Sequence, residues 1–249
     1  MAGGRIAGVW VPYCGAAPAP GEWLARWNFD PLLLAALAAA IVVWRLAGLH
    51  ADRTRTWAFG TGLALLAVLF VSPFCALTSA LFAARTAHHA VLVAAVAPLL
   101  ALALPGATRV RGAVAAWTGL QALVLWAWHY PPLYSAALSA DWIYWLMQGS
   151  LLGAALAFWA SLRRAPVPTA VAALLATMVQ MGLLGALITF AGEPLYAPHL
   201  LTTAAWGLSP LEDQQIAGLI MWAPAAAIYL AAALLIAGRW LRDEARPAA

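Results

Sequence analysis

Seven long apolar segments dominate this chain and restrict the folds that it can adopt. Each approaches the ~20 residues that a helix needs to cross the hydrocarbon core of a bilayer. Backbone groups in lipid must find hydrogen bonds within their own segment, so uninterrupted apolar runs predict helices, whereas barrel strands would alternate in polarity. The segments are Pro31–Leu46, Trp57–Pro73, Thr86–Leu104, Gly112–Trp128, Trp142–Leu162, Thr169–Ala191 and Gln214–Trp240.

Composition supports a membrane protein without a soluble domain. Of the 249 residues, 65% are hydrophobic and 9% are charged, against about 25% charged in soluble domains. So few charges cannot cover a water-exposed surface. We therefore predict an all-α, polytopic integral membrane bundle of about seven transmembrane helices. It divides into an exported N-terminal tail (1–30), the transmembrane domain (31–240) and a cytoplasmic C-terminal tail (241–249).

Arginine placement predicts the orientation of the bundle. All thirteen basic residues are arginine, and ten of them lie in alternate loops or after the last segment. The loops 130–141 and 191–213 contain none. Because basic residues favour the cytoplasmic side, the N-terminus is predicted outside and the C-terminus inside. The exceptions are Arg5, Arg26 and Arg85.

Small residues four positions apart predict where helices approach each other closely. Gly149 and Gly153 form one such pair in the fifth segment, and Gly182 with Ala186 forms another in the sixth. Pairs of this kind allow backbones to come together in membrane bundles.

Side chains that can bind metals concentrate toward the predicted outer face. Ionisable groups near the apolar zone are energetically costly and tend to mark functional sites. Only one histidine, His50, accompanies the cytoplasmic arginines. The outer set is His88, His89, His129, His199, Cys14, Cys75, Asp141, Glu193, Glu212 and Asp213.

The adjacent pair His88 and His89 is the most distinctive element of this set. Neighbouring residues on a helix point about 100° apart, so one imidazole can face the bundle while the other meets a neighbouring helix. A metal ion would therefore need ligands from other helices. His129 ends the fourth segment, Cys75 follows the second, and Asp213 precedes the seventh.

These residue types favour copper or zinc as the metal. Imidazole and thiolate suit both ions, and methionine thioethers suit Cu(I). The predicted metal ligands are His88, His89, His129, Cys75, Asp213 and Met221, and copper is the expected ion. Further possible thioethers are Met147, Met178 and Met181.

Each candidate also has a structural interpretation. His88 and His89 can hydrogen-bond neighbouring helices, and His129 can cap its helix or lie at the level of the lipid headgroups. The methionines can be ordinary core residues, and Asp213 can cap the N-terminus of its own helix. Cys14 and Cys75 can form a disulfide in an oxidising compartment or remain buried thiols. His199 and Glu193 lie in a loop and are expected to be solvated.

Three stretches of the sequence resemble the membrane-integral CtaG-type assembly factors of bacterial caa-type cytochrome c oxidase. Pro73–Pro105 contains Leu-Phe-Ala-Ala-Arg-Thr-Ala-His-His followed by Ala-Pro-Leu-Leu-Ala-Leu-Ala-Leu-Pro. Trp128–Tyr134 reads Trp-His-Tyr-Pro-Pro-Leu-Tyr, and Leu208–Trp222 contains Asp-Gln-Gln-Ile-Ala-Gly-Leu-Ile-Met-Trp. The resemblance extends over almost the whole chain. The residues that match motif positions are His88, His89, His129, Asp213, Gln214, Gln215 and Met221.

The resemblance implies a non-enzymatic protein that assists oxidase assembly in the bacterial plasma membrane. Its expected partners are cytochrome c oxidase subunits and the lipid bilayer, with no nucleic acid. We expect copper to enter from the exported side, bind the imidazoles of the third and fourth segments, and pass to an oxidase subunit. Asp213 would orient a histidine through a hydrogen bond.

Two other functions fit the same sequence. Histidines on facing helices could ligate a haem in a membrane redox protein. A metal-free scaffold for oxidase subunits would need the helix faces alone. A hydrolase is disfavoured because neither Gly-x-Ser-x-Gly nor His-Glu-x-x-His occurs.

Overall fold

The computed structural model describes residue 10, residues 12–105 and residues 112–245. These residues form helices joined by loops, with no strand among them, and the all-α prediction is confirmed. The helices are α1 (Pro31–Leu46), α2 (Arg53–Phe70), α3 (Pro73–Ala80), α4 (Phe82–Ala103), α5 (Val114–His129), α6 (Pro131–Ala137), α7 (Asp141–Leu162), α8 (Val167–Thr189) and α9 (Pro210–Glu244).

The long helices coincide with the seven predicted segments. The bounds of α1 are those predicted, and the others differ by at most four residues at either end. Two short helices, α3 and α6, were not predicted. Each begins at a proline, Pro73 or Pro131, which favours the first turn of a helix because its fixed φ suits that position.

The bundle is apolar enough to lie in a membrane. Four helices, α4, α7, α8 and α9, are each long and hydrophobic enough to span a bilayer. The pair α2 and α3, bent by 49°, forms a fifth candidate, and α1 is a shorter apolar helix. A count of seven spans and the orientation remain predictions. Arg5, Arg109, Arg111 and Arg246, which contribute to the orientation argument, lie outside the described residues.

Two long helices contain a π-helical turn. In α4 it covers Leu92–Val96, which begins three residues after His89, and in α9 it covers Met221–Ala225. The second turn contains Pro224, which cannot donate the backbone hydrogen bond of a regular helix. π-Helical turns are frequent at functional sites, and both lie near the polar cluster described below.

The closest helix packing joins α8 to α9 through Gly185 and Gly218. A β-carbon added to Gly185 would lie 2.7 Å from the carbonyl oxygen of Gly218. One added to Gly218 would lie 2.7 Å from the backbone nitrogen of Thr189. The prediction of close approach at Gly149 and Gly153 was wrong, because a β-carbon at either would meet nothing within 4 Å.

The segment before α1 is attached to the end of the bundle where α2 terminates and α3 begins. Cys14 and Cys75 form a disulfide. Asn28 donates its backbone N–H to the carbonyl of Val71 (2.9 Å) and its amide N–H to that of Phe70 (3.0 Å). We call this end, where α4 and α9 begin and α5 terminates, the predicted outer end.

Candidate functional site

A buried carboxylate fixes the start of α4. Asp213 is 0% exposed and accepts hydrogen bonds from the backbone N–H groups of Phe82 (2.7 Å) and Ala83 (3.1 Å). The first N–H groups of a helix have no partner within the helix, so Asp213 of α9 supplies the cap of α4. This contact fixes α4 against α9 at the predicted outer end.

Asp213 therefore differs from both roles predicted for it. The N-cap of its own helix is Ser209, whose hydroxyl and Glu212 form a capping box. Asp213 lies in the first turn, and its hydrogen-bond partners are backbone groups of α4 and not a histidine. The predictions that it caps α9 or orients an imidazole were wrong. Both oxygens are occupied, which also disfavours its predicted use as a metal ligand.

The neighbouring glutamine has a similar structural role. The Gln214 side-chain oxygen accepts from the N–H of Leu195 (2.6 Å), and its amide donates to the carbonyls of Ile188 (3.3 Å) and Glu193 (3.2 Å). These bonds hold the loop after α8 against α9. The Asp-Gln pair thus positions backbone segments around the site.

Three predicted metal ligands lie around one small cavity. His89 of α4, His129 of α5 and Met221 of α9 line it together with Met181 of α8. Its volume is ≈ 10 Å³, about the space that one water molecule requires. The rings of His89 and His129 are 5.8 Å apart between centroids. Four helices thus bring two imidazoles and two thioethers to the wall of one small cavity.

The hydrogen bonds of His129 leave a nitrogen available in this space. Its Nδ1 lies 2.8 Å from the carbonyl oxygen of Leu125. A carbonyl only accepts, so Nδ1 carries the proton and Nε2 keeps its lone pair. A histidine held by a carbonyl in this way is the usual arrangement of a metal ligand.

His89 has an equivalent free nitrogen. Its Nε2 lies 3.4 Å from the side-chain nitrogen of Gln148, while His89 Nδ1 and the Gln148 oxygen have no hydrogen-bond partner in the described part of the chain. Amide oxygen and nitrogen are assigned from the surrounding network. Rotating this amide by 180° lets the oxygen accept from Nε2–H, which leaves the Nδ1 lone pair free.

His88 lies apart from this cavity. Its ring packs edge-on against Phe70 (centroids 4.8 Å apart) and parallel to Phe74 (6.2 Å). The Leu69 backbone lies close to the ring, but neither ring nitrogen forms a hydrogen bond of good geometry. The 100° offset between adjacent helical residues thus separates the two imidazoles, with His88 directed toward α2 and α3. The predicted ligand His88 is not brought together with His129 and Met221.

Cys75 is also separated from the cavity ligands. Its sulfur is bonded to Cys14, so it has no thiolate to offer, and the prediction of a thiolate ligand does not hold for this oxidised form. Of the alternatives that the sequence left open, the structure contains the disulfide. Cys14 Sγ also lies 3.6 Å from the hydroxyl of Tyr144 on α7.

His199 is buried rather than solvated, contrary to the prediction. It is 2% exposed, its Nε2 lies 2.7 Å from the hydroxyl of Tyr134, and its Nδ1 lies 3.4 Å from the carbonyl of Ala80. Burial and the nearby charge of Arg85 lower the pKa of His199 to about 3, so the ring is neutral at physiological pH. It joins the loop before α9 to the ends of α3 and α6.

Sequence reasoning missed Arg85 as part of this cluster. Arg85 is 0% exposed, and it precedes the histidine pair by one helical turn. Its signal was present, because it is a charged residue that violates the positive-inside pattern beside two histidines. Gln148, which contacts His89, had no distinguishing sequence pattern.

The described residues contain no group of three His, Cys, Asp or Glu side chains that could hold a metal ion. Any metal at the cavity would therefore depend on thioethers in addition to the two imidazoles. Cu(I) accepts such soft, neutral ligands, whereas Mg²⁺ and Ca²⁺ prefer oxygen. The donor set fits copper better than a hard cation.

A family model matches most of the chain. The model of the cytochrome c oxidase caa3 assembly factor family (Caa3_CtaG) matches residues 35–121 and 113–243, which together cover most of the chain. No curated protein and no solved structure matched.

Proposed function

This chain belongs to the cytochrome c oxidase caa3 assembly factor family, and we propose that it assists assembly by carrying a copper ion between α4, α5, α8 and α9. In this proposal copper is the cargo, and the site lies toward the outer face of a bacterial plasma membrane. The partner is the oxidase subunit that receives the ion. The observation that carries the proposal is the convergence of His89, His129, Met181 and Met221 on one small cavity.

The ligand set suits temporary retention of Cu(I). The two imidazoles offer nitrogen lone pairs, and thioethers are soft, neutral donors that bind Cu(I). Because the site has no thiolate or carboxylate, its ligands do not neutralise the positive charge of the ion. A partner that offers a thiolate could therefore displace these ligands and take the ion, which is the behaviour expected of a carrier.

The surrounding helices explain why the site is held together. Asp213 fixes α9 to the start of α4, and the Gly185–Gly218 contact fixes α9 to α8. Met221 and Met181 are thereby set opposite His89. The same helix contacts would be needed in a metal-free scaffold, so they support a role in assembly without distinguishing the two hypotheses. The cavity is the observation that favours copper.

The dimensions of the cavity disfavour the haem alternative. Haem needs a pocket of several hundred cubic ångströms, in the range of ordinary ligand sites, whereas the space between His89 and His129 is ≈ 10 Å³. A redox role through a haem ligated by these two residues would require the helices to separate.

Complementation of oxidase assembly tests the proposal. Host cells that lack this protein would receive the wild type, His89→Leu or His129→Leu, and the copper content and level of the assembled oxidase would be measured in membranes. The proposal predicts that both variants accumulate in the membrane but leave the oxidase copper-deficient. Full complementation by both variants would instead support the metal-free scaffold, and a Soret band of the purified wild-type protein that is absent from both purified variants would support haem.

A further inference from the structure

Arg85 is a buried charge whose hydrogen-bonding groups are not satisfied by the chain. Its side chain is 0% exposed, and neither Nε nor the two terminal nitrogens has a hydrogen-bond partner among the described residues. A guanidinium cannot lose its proton in a protein and presents five N–H donors. An unpaired buried charge of this kind strongly destabilises a fold unless a partner compensates it.

The aromatic neighbours of Arg85 can compensate its charge and accept its N–H groups only in part. The guanidinium carbon lies 5.3 Å from the ring centroid of Tyr144, a favourable cation–π distance. The hydroxyls of Tyr134 and Tyr144 lie within hydrogen-bonding reach of the guanidinium, although neither contact has the geometry of a well-formed hydrogen bond. Two phenol oxygens could accept from two N–H groups, which leaves three others.

The Tyr134 hydroxyl donates its proton in another hydrogen bond, to His199. His199 Nδ1 faces the carbonyl oxygen of Ala80, which only accepts, so the neutral ring carries its proton on Nδ1. His199 Nε2 must then accept the proton that Tyr134 donates across 2.7 Å. The oxygen of Tyr134 can therefore still accept one N–H group of Arg85, and the remaining N–H groups need other acceptors.

No described carboxylate pairs with Arg85. The buried carboxylate of Asp213 is engaged by the N–H groups of Phe82 and Ala83. An ion pair elsewhere, between Arg55 and Asp52, does not involve Arg85. A carboxylate counter-ion for Arg85, if there is one, would thus come from outside the described residues.

We propose that Arg85 binds a carboxylate group that enters from the predicted outer end of the bundle. The planar fork of a guanidinium matches the two oxygens of a carboxylate and forms paired, charge-assisted hydrogen bonds with them. The carboxylate is either a small free anion or the acidic head of an apolar molecule. This inference is independent of the copper proposal, because Arg85 is not among the residues that line the His89–His129 cavity.

Arg85 lies close to the predicted outer end of α4. It is three residues, or about 4.5 Å along the axis, from the first residue of the helix. A surface cavity of ≈ 510 Å³, which Arg85 itself does not line, is formed at this end by Ser79, Leu138 and Thr202 among others. Thr202 donates to the carbonyl of Ala80 (2.6 Å), the same oxygen that His199 faces. The cavity is thus joined through one carbonyl to the His199–Tyr134 pair beside Arg85.

Thermal unfolding of the metal-free, detergent-purified protein tests the proposal. At constant ionic strength, chloride would be replaced stepwise by acetate or by octanoate. We expect a saturable rise in Tm of about 3–6 °C at ten times the dissociation constant. This rise should be absent in Arg85→Gln and unchanged in the matched control Arg45→Gln, which alters an exposed arginine.

The two anions distinguish the sources of the carboxylate. A response to acetate indicates a free small anion, and a response to octanoate alone indicates an acidic head on an apolar molecule. Equal responses in wild type and Arg85→Gln, or none in the wild type, would overturn the proposal and leave water and the phenols as the partners of Arg85.

A second measurement does not depend on the glutamine variant folding. The NMR line of ¹³C-formate should broaden in the presence of wild-type protein beyond its width in detergent alone, and acetate should reverse the broadening. Arg85→Lys, which keeps the charge but lacks the planar fork, should weaken the effect by about tenfold. A line as narrow as in detergent alone would contradict carboxylate binding.

Discussion

Buried polar groups have hydrogen-bond partners at the first turn of α4 but largely lack them in the two turns that follow. At the first turn, both oxygens of Asp213 accept backbone N–H groups, and nearby Gln214 forms three hydrogen bonds. In the next two turns, Arg85, His88 and His89 retain nitrogens without described partners. Buried polar groups are normally satisfied, so the first region is structural and the second has groups available for a ligand.

Removing the Asp213 carboxylate should produce the largest loss of stability. Asp213→Ala leaves two buried N–H groups at the start of α4 without acceptors, each costing about 1–3 kcal/mol. We expect the free energy of unfolding to fall by about 2–5 kcal/mol, measured by thermal denaturation in detergent. Asp213→Asn keeps one acceptor oxygen and should lose less. A fully stable alanine variant would mean that this contact does not hold α4 in place.

A methyl group at the α8–α9 contact should have the next largest effect. Gly218→Ala would place its β-carbon against the Thr189 hydroxyl and within 2.5 Å of the Gly185 carbonyl, so the helices must separate at a cost of about 1–3 kcal/mol. Gly153→Ala is the matched control, because its β-carbon meets nothing within 4 Å. Equal Tm values for the two variants would contradict the packing described here.

Replacing a cavity thioether should affect copper more than the fold. Met221→Leu is a volume-conserving change that should alter stability by less than about 1.5 kcal/mol. Loss of the sulfur should weaken Cu(I) binding by about tenfold, equivalent to ~1.4 kcal/mol. Competition with a Cu(I) chelator under reducing conditions measures this change. Unaltered affinity would exclude Met221 from the ligand set.

Replacing His89 should have the smallest effect on stability. His89 Nδ1 has no described partner and its Nε2 contact is long, at 3.4 Å. His89→Leu should therefore change the free energy of unfolding of the metal-free protein by less than about 1 kcal/mol, or stabilise it, because an unsatisfied polar group is removed. A loss as large as that of Asp213→Ala would place His89 among the structural residues and remove the contrast between the two regions.

The sequence was sufficient to predict the helices because the relevant signals are local. Apolar length located every long helix to within four residues. Helix ends were less predictable, since Asp213 precedes an apolar run but Ser209 and Pro210 begin the helix earlier. The role of Asp213 as a cap for α4 depends on a contact across 130 residues of sequence, which no local pattern indicates.

Close packing and ligand grouping were harder to predict for the same reason. Gly149 and Gly153 have the spacing of a packing motif, yet the tight contact is at Gly185 and Gly218 on two different helices. His88 and His89 are equivalent as sequence, but their directions on α4 give them different neighbours. Such distinctions depend on how helices are rotated relative to one another.

The copper content of the purified protein shows most directly whether a copper ion binds between α4, α5, α8 and α9. Wild type, the double variant His89→Leu/His129→Leu and the adjacent control His88→Leu would be loaded with Cu(I), passed through a desalting column and analysed by mass spectrometry. We expect about one copper per chain in wild type and in His88→Leu, and almost none in the double variant. Copper retained by the double variant, or lost equally in the His88 control, would contradict a site between α4, α5, α8 and α9.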